Sequence, residues 1–178
     1  MKKTILVTGG TGFIGSHTTV ELQNAGYDVV IVDNLSNSQA DVVDGIEKIT
    51  GIRPAFEEVD CCDLAGLEAV FQKYPGIQGI IHFAASKAVG ESVEKPLMYY
   101  ENNLLSLINL LKLMPKYDVK GIIFSSSCTV YGQPDPENLP VTEEAPIKKA
   151  ESPYGNTKQI NEEIVQDYVK SGAPISAI

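Results

Sequence analysis

A run of β-branched and apolar residues, Thr4-Ile5-Leu6-Val7-Thr8, passes without a spacer into Gly9-Gly10-Thr11-Gly12-Phe13-Ile14-Gly15, and an amphipathic stretch follows at once. Few folds accept that order. Gly10, Gly12 and Gly15 stand in GxGxxG register, which means more than a flexible turn only when a strand precedes it and a helix follows. Both flanks are present here. Gly9 and Gly10 are read as permitting a tight turn with positive φ, Gly12 as letting the backbone approach a pyrophosphate, and Gly15 as letting the helix pack on the strand. The N–H groups at the helix start would then point at the phosphates.

The rest of the chain repeats the same rhythm. Strands are expected over Thr4–Thr8, Asp28–Val32, Arg53–Val59, Gly79–Phe83 and Gly121–Ser125, with a sixth opening at Pro174 and running to the last residue. Between them, apolar residues at three- and four-residue spacing predict helices over Phe13–Ala25, Ser38–Thr50, Leu64–Tyr74, Leu97–Lys116 and Pro153–Ser171. Strands alternating with helices long enough to cross over predict an α/β fold: a Rossmann-type doubly wound parallel sheet in the order 3-2-1-4-5-6. Its ligand crevice lies at the carboxyl ends of the strands where the order reverses. Two connections, Ala84–Pro96 and Ser126–Ser152, are longer than crossovers need, and both follow strands beside that crevice.

With 14 Lys and Arg against 23 Asp and Glu, the formal charge of −9 repels phosphate backbones and anionic lipid, so nucleic acid and membrane surfaces are not expected as partners. No apolar run reaches the roughly 18 residues of a membrane span, and Met1-Lys2-Lys3 leads straight into a strand, which predicts a cytoplasmic protein. Cys61, Cys62 and Cys128 suit neither a disulfide framework nor a structural metal site, so reduced, partly buried thiols and no metal are expected.

Asp33 stands 18 residues after Gly15 at the end of the second strand. A carboxylate there can accept both hydroxyls of an adenosine ribose and would repel a 2′-phosphate, which favours NAD over NADP. The lesser alternative is that Asp33 only caps the turn Asp33-Asn34-Leu35-Ser36. Tyr154 and Lys158, four apart at the start of the last helix, project from one face behind Pro153. An unperturbed phenol titrates near ~10, so a tyrosine base needs a neighbouring cation. Alone, such a pair reads as a solvated helix face. The hydroxyls of Ser125-Ser126-Ser127-Cys128-Thr129, delivered to the same crevice by the fifth strand, turn the reading toward a proton-transfer site. His82 is expected as a satisfied histidine at the core edge, and His17 has no partner at metal-ligand spacing.

The glycine turn, the Tyr-x-x-x-Lys pair and the serine cluster together resemble the extended short-chain dehydrogenase/reductase superfamily. Asp33–Ser38, His82–Val93, Tyr99–Asn103, Ser125–Gly132 and Ser152–Gly155 narrow the resemblance to the UDP-glucose 4-epimerases. The resemblance implies that NAD is bound by Gly9, Gly10, Gly12, Phe13, Ile14 and Gly15, and by Asp33, Asn34, Leu35, Ser36, Asn37 and Ser38. It adds Asp60, Cys61, Phe83, Ala84, Ala85, Lys87, Asn102 and Ser125 to that set. Ser127, Tyr154 and Lys158 take the catalytic positions, with Lys87, Ser127, Thr129 and Tyr154 toward the UDP-sugar. It further implies epimerisation at the fourth carbon of a UDP-hexose through a 4-keto intermediate, and a homodimer through a helix bundle. Cys61 stands where that family commonly has an aliphatic residue. A nucleotide-sugar dehydratase is the rival inside the superfamily, but Cys128 and Val130 leave no carboxylate beside the serine. A non-catalytic NAD-binding domain is the rival outside it. Residues 1–178 are expected to form the NAD-binding domain alone, without the C-terminal substrate domain, and hence to be weak or inactive in turnover while still binding NAD.

Overall fold

The protein is seen in a computed structural model that describes residues 2–178. Thr4–Thr8 (β1), Phe13–Asn24 (α1), Asp28–Asp33 (β2), Val42–Thr50 (α2), Ala55–Glu58 (β3), Leu64–Lys73 (α3) and Ile77–His82 (β4) come first. Val89–Glu94 (α4), Pro96–Lys116 (α5), Gly121–Phe124 (β5), Pro153–Lys170 (α6) and Ser176–Ala177 (β6) follow, with short 3-10 turns at Cys128–Tyr131 and Pro136–Asn138. The six strands form one parallel sheet in the order β3-β2-β1-β4-β5-β6.

Strand alternation divides the apolar residues between two faces. Leu6, Val30, Val32, Ile80 and Ile122 pack with Leu67, Val70 and Phe71 of α3, Leu107, Leu110 and Met114 of α5, and Val165 of α6. On the opposite face Val7, Val29 and Ile31 meet Ile46 of α2 and Val20 and Leu22 of α1. Each such buried side chain contributes on the order of 1.5–3 kcal/mol, so the larger face carries most of the hydrophobic stabilisation. The smaller face is incompletely covered, for Ile123 of β5 is 46% exposed.

Element ends depart from expectation for identifiable reasons. The second helix opens at Val42, not Ser38. The Ser38 hydroxyl is bound to the Asp33 carboxylate (3.2 Å) and the Thr11 hydroxyl (2.6 Å), which holds Ser38 in the loop after β2. Ala84–Pro96 is not an open loop: it contains α4, six residues long and too short to show a period. β6 starts at Ser176, whose N–H donates to the Lys120 carbonyl (2.7 Å), because Pro174 has no N–H to offer a ladder.

Two buried asparagines on α5 fix the loops at the carboxyl end of the sheet. Asn103 accepts from the Ser86 N–H (2.8 Å) and donates to the Ser86 carbonyl and the Thr157 hydroxyl (both 3.0 Å). Asn109 donates to the carbonyls of Cys61 and Cys62, both at 3.0 Å. Tyr99, also buried, accepts from the Ala88 N–H and donates to Glu91, both at 2.9 Å. Among the described residues no helix is long and apolar enough to cross a membrane, and no cluster of three His, Cys, Asp or Glu could hold a metal ion.

Candidate functional site

At the carboxyl ends of β1, β2, β4 and β5 lies a cleft of about 440 Å³, lined from every segment the sequence singles out. The glycine turn contributes Gly9, Gly12, Phe13, Ile14 and Gly15; the loop after β2 contributes Asp33, Asn34, Ser36 and Asn37. Asp60, Cys61, Phe83, Ala84, Ala85, Lys87 and Asn102 line its middle, and Ser125, Ser127, Tyr154 and Lys158 its far end. Four expected residues stand behind this surface. Gly10 lacks the positive φ expected of it and instead presses on Ile31, where a Cβ would come within 2.6 Å of that side chain. Leu35 and Ser38 are drawn in by Asp33, and the Thr129 hydroxyl donates to the Ser127 oxygen at 3.0 Å. Val32, Val59, Ser106 and Ser126 also line the cleft and lie outside the expected set. Ser126 could have been found in the serine run itself.

The glycine turn is built by backbone proximity. Gly9 has φ of 69°, and a Cβ there would lie 2.8 Å from the Ala84 nitrogen. A Cβ on Gly15 would collide with the Gly9 carbonyl and Gly10 Cα, so the helix start sits directly on the turn. Gly12, the α1 N-cap, offers no side-chain cap, and the first turn carries no acidic residue. Its N–H groups and the positive end of the helix therefore favour an anion in the cleft. Phe13 is 77% exposed beside them, with the His17 ring 4.6 Å away.

Asp33 serves the turn as well as facing the cleft. Its carboxylate accepts from the N–H of Thr11 (3.2 Å) and Leu35 (3.0 Å) and from the Ser38 hydroxyl. The Asn34 amide donates to Asp60 at 3.1 Å, joining the loops after β2 and β3.

At the other end, α6 is started by Ser152, whose hydroxyl accepts from the Gly155 N–H (3.1 Å), with Pro153 in the first turn. Lys158 is only 4% exposed. Its ammonium donates to the Ser125 carbonyl (2.6 Å) and lies 4.7 Å from the Phe124 ring centroid and 6.0 Å from that of Tyr154. Burial pushes its pKa down to about 8, opposed by the charge of Glu162. A helix face that reads as solvated in sequence is thus folded inward.

His82 is buried, with Nδ1 2.7 Å from the Thr8 hydroxyl. Burial, with Lys158 nearby, pushes it from 6.5 down to about 3. Between those pH values the unfolded chain takes up a proton that the folded chain refuses, so stability present above pH 6.5 is lost as the pH falls. At pH 4.5 the loss from this residue should be about 2–3 kcal/mol. Urea unfolding at pH 7.5 and 4.5 reads it: His82→Asn should shrink the difference between the two pH values by about that amount, and an unchanged difference contradicts the assignment. The thiols offer no nucleophile to this site. Cys61 is buried, Cys62 is pushed up to about 12 by burial and the Asp60 charge, and Cys128 is exposed outside the cleft lining.

The chain is similar to UDP-glucose 4-epimerases. It is 49% identical over 176 residues to uge1 of Schizosaccharomyces pombe, covering 98% of this chain and 49% of that one, and 52% identical over 163 residues to the Bacillus subtilis protein, covering 92% and 47%. Among solved structures, the Bifidobacterium longum UDP-glucose 4-epimerase in complex with NAD+ and UDP superposes with a TM-score of 0.93 at 48% identity, over 98% of this chain and 51% of that one. The chain therefore spans about half the length of the curated relatives it matches. The profile of the NAD dependent epimerase/dehydratase family runs from residue 5 through residue 178, across every strand and every wall of the cleft, and the chain belongs to that family.

Proposed function

We propose that this chain holds NAD in the cleft and supplies the proton-transfer residues of a UDP-hexose 4-epimerase that interconverts UDP-glucose and UDP-galactose. What carries the reading is that Ser127, Tyr154 and Lys158 lie in the wall of the same cleft as the glycine turn and Asp33. The uncapped start of α1 suits a pyrophosphate, and Asp33 at the end of β2 suits an adenosine ribose without a 2′-phosphate. NAD, when bound, would accept the hydride from the sugar's fourth carbon and return it to the opposite face, so that no net oxidation results. The chain's own part is to hold and move a proton. Tyr154 takes it from the 4-hydroxyl, the Ser127 hydroxyl hydrogen-bonds the same oxygen, and Lys158 places a positive charge on the Tyr154 side of the site. Lys87, exposed in the middle of the cleft, is free to reach the sugar nucleotide or the cofactor phosphates. The same reading makes the protein a homodimer: α5 and α6 present an apolar groove lined by Ile108, Leu111, Ile164 and Tyr168, across which two helix pairs would form a bundle.

Conversion of UDP-glucose to UDP-galactose with no net reduction of added NAD, by a chain extended to the length of its relatives, tests the activity; absence of conversion by that extended chain counts against it. Titration calorimetry tests the cofactor. NAD should bind and NADP should not. Asp33→Ala should weaken NAD by about tenfold or more, since three donors to the turn lose their acceptor, and should narrow the preference over NADP. Equal affinity of the parent chain for both dinucleotides is incompatible with the reading.

A further inference from the structure

Glu162 takes no part in the sequence-level reading, yet it stands one helical turn beyond Lys158 on the same face of α6. It is half-buried, and the Ser126 hydroxyl donates to its Oε1 across 36 residues of chain. Ser126 itself lines the cleft between Ser125, which accepts from the Lys158 ammonium, and Ser127. The strand end is therefore fastened to α6 at two neighbouring points, one through a cation and one through a carboxylate.

The groups facing Lys158 come from three elements. Phe124 and the Ser125 carbonyl belong to β5 and its continuation, His82 to β4, and Tyr154 and Glu162 to α6. His82 is kept neutral by burial and adds no charge at working pH. A carbonyl and an aromatic face stabilise an ammonium without supplying a countercharge. Glu162, four residues along α6 and held by the Ser126 hydroxyl, carries a carboxylate whose charge works against the burial of Lys158.

We propose that Glu162 is a positioning residue of this site: held by the Ser126 hydroxyl, its carboxylate keeps Lys158 protonated beside Tyr154 and ties the Ser125–Ser127 strand end to α6. The inference rests on the reading of Lys158 as the cation of the proton-transfer set. Its test is independent of any turnover, so a failure of the extended chain to epimerise UDP-sugars would sink that reading and leave this measurement standing.

The test is an NMR titration of the intact chain labelled with carbon-13 at lysine Cε, the Lys158 signal being assigned by its loss in Lys158→Met. Glu162→Gln keeps an acceptor for Ser126 and removes the charge, and should lower the Lys158 titration midpoint by about one pH unit. Ser126→Ala keeps the charge and removes the tether, and should move the midpoint by less than about half as much. A Glu162→Gln midpoint within about 0.3 pH units of the parent overturns the proposal. So does a Ser126→Ala change as large as that of Glu162→Gln, because the contact and not the charge would then be responsible. Should Glu162→Gln not fold, Glu162→Met, similar in length and without charge, decides by the same criterion.

Discussion

In a chain extended to the length of its relatives, a Tyr154→Phe variant should lose about two to four orders of magnitude in turnover of UDP-glucose, the range expected when a general base is removed, while NAD stays bound. The substitution is informative because so little else changes. Tyr154 sits in the first turn of α6, which is set by the Ser152 cap and Pro153 and by buried Gly155, where a Cβ would stand only 3.0 Å from Ala150 and 3.2 Å from Thr129. Phenylalanine keeps the ring that shapes the cleft and the backbone that carries it, so the loss should appear in kcat and not in the thermal midpoint. Steady-state kinetics beside a melting curve separate the two. Turnover within about tenfold of the parent would mean that the proton leaves the sugar through another group, such as the Ser127 hydroxyl on the same wall.

The fold was legible where a single period holds over a whole element. β1 matches expectation end to end, and the sheet order follows from strand and crossover alternation alone. Most of the cleft was legible for the same reason: in a parallel sheet of this order, residues that follow strand ends converge whatever their separation in sequence. What stayed hidden depends on side chains meeting across that convergence. Asn103 and Asn109 interrupt an apolar helix face, but nothing local says that their partners are Ser86 and the Cys61–Cys62 carbonyls. Lys158 and Glu162 are spaced like a solvated pair; only the packing of α6 on the end of β5 buries the first and gives the second a serine partner. Gly10 shows the limit differently, for the sequence marks the need for a glycine while the cause is Ile31 of the neighbouring strand and not φ.

Gly15→Ala should destabilise the chain by about 2–3 kcal/mol and abolish measurable NAD binding, although alanine is the better helix former. Two effects oppose each other. Replacing a helical glycine by alanine gains up to about 1 kcal/mol when the methyl group meets nothing, and Gly45 in α2 offers that case, with no atom within 4 Å of its Cβ position. At Gly15 the methyl group would run into the Gly9 carbonyl and the Gly10 Cα. Those are backbone atoms of a turn that cannot retreat, because Gly9 is itself pressed against Ala84 and its N–H donates to the Val32 carbonyl at 2.8 Å. Relief must come from moving the start of α1 away from β1, which costs more than helix propensity returns. A thermal midpoint lower by about 4–12 °C is the expected reading for a chain of this size, against a rise of about 1–4 °C for Gly45→Ala. Gly12→Ala completes the comparison: its methyl group would meet only the Gly9 carbonyl, at 3.2 Å, so it should fold near normally and lose affinity for NAD through the space it takes from the cleft. If Gly15→Ala melts with the parent and binds NAD as well, the close seating of α1 on the turn is wrong, and the positioning of the helix start toward the cofactor phosphates is wrong with it.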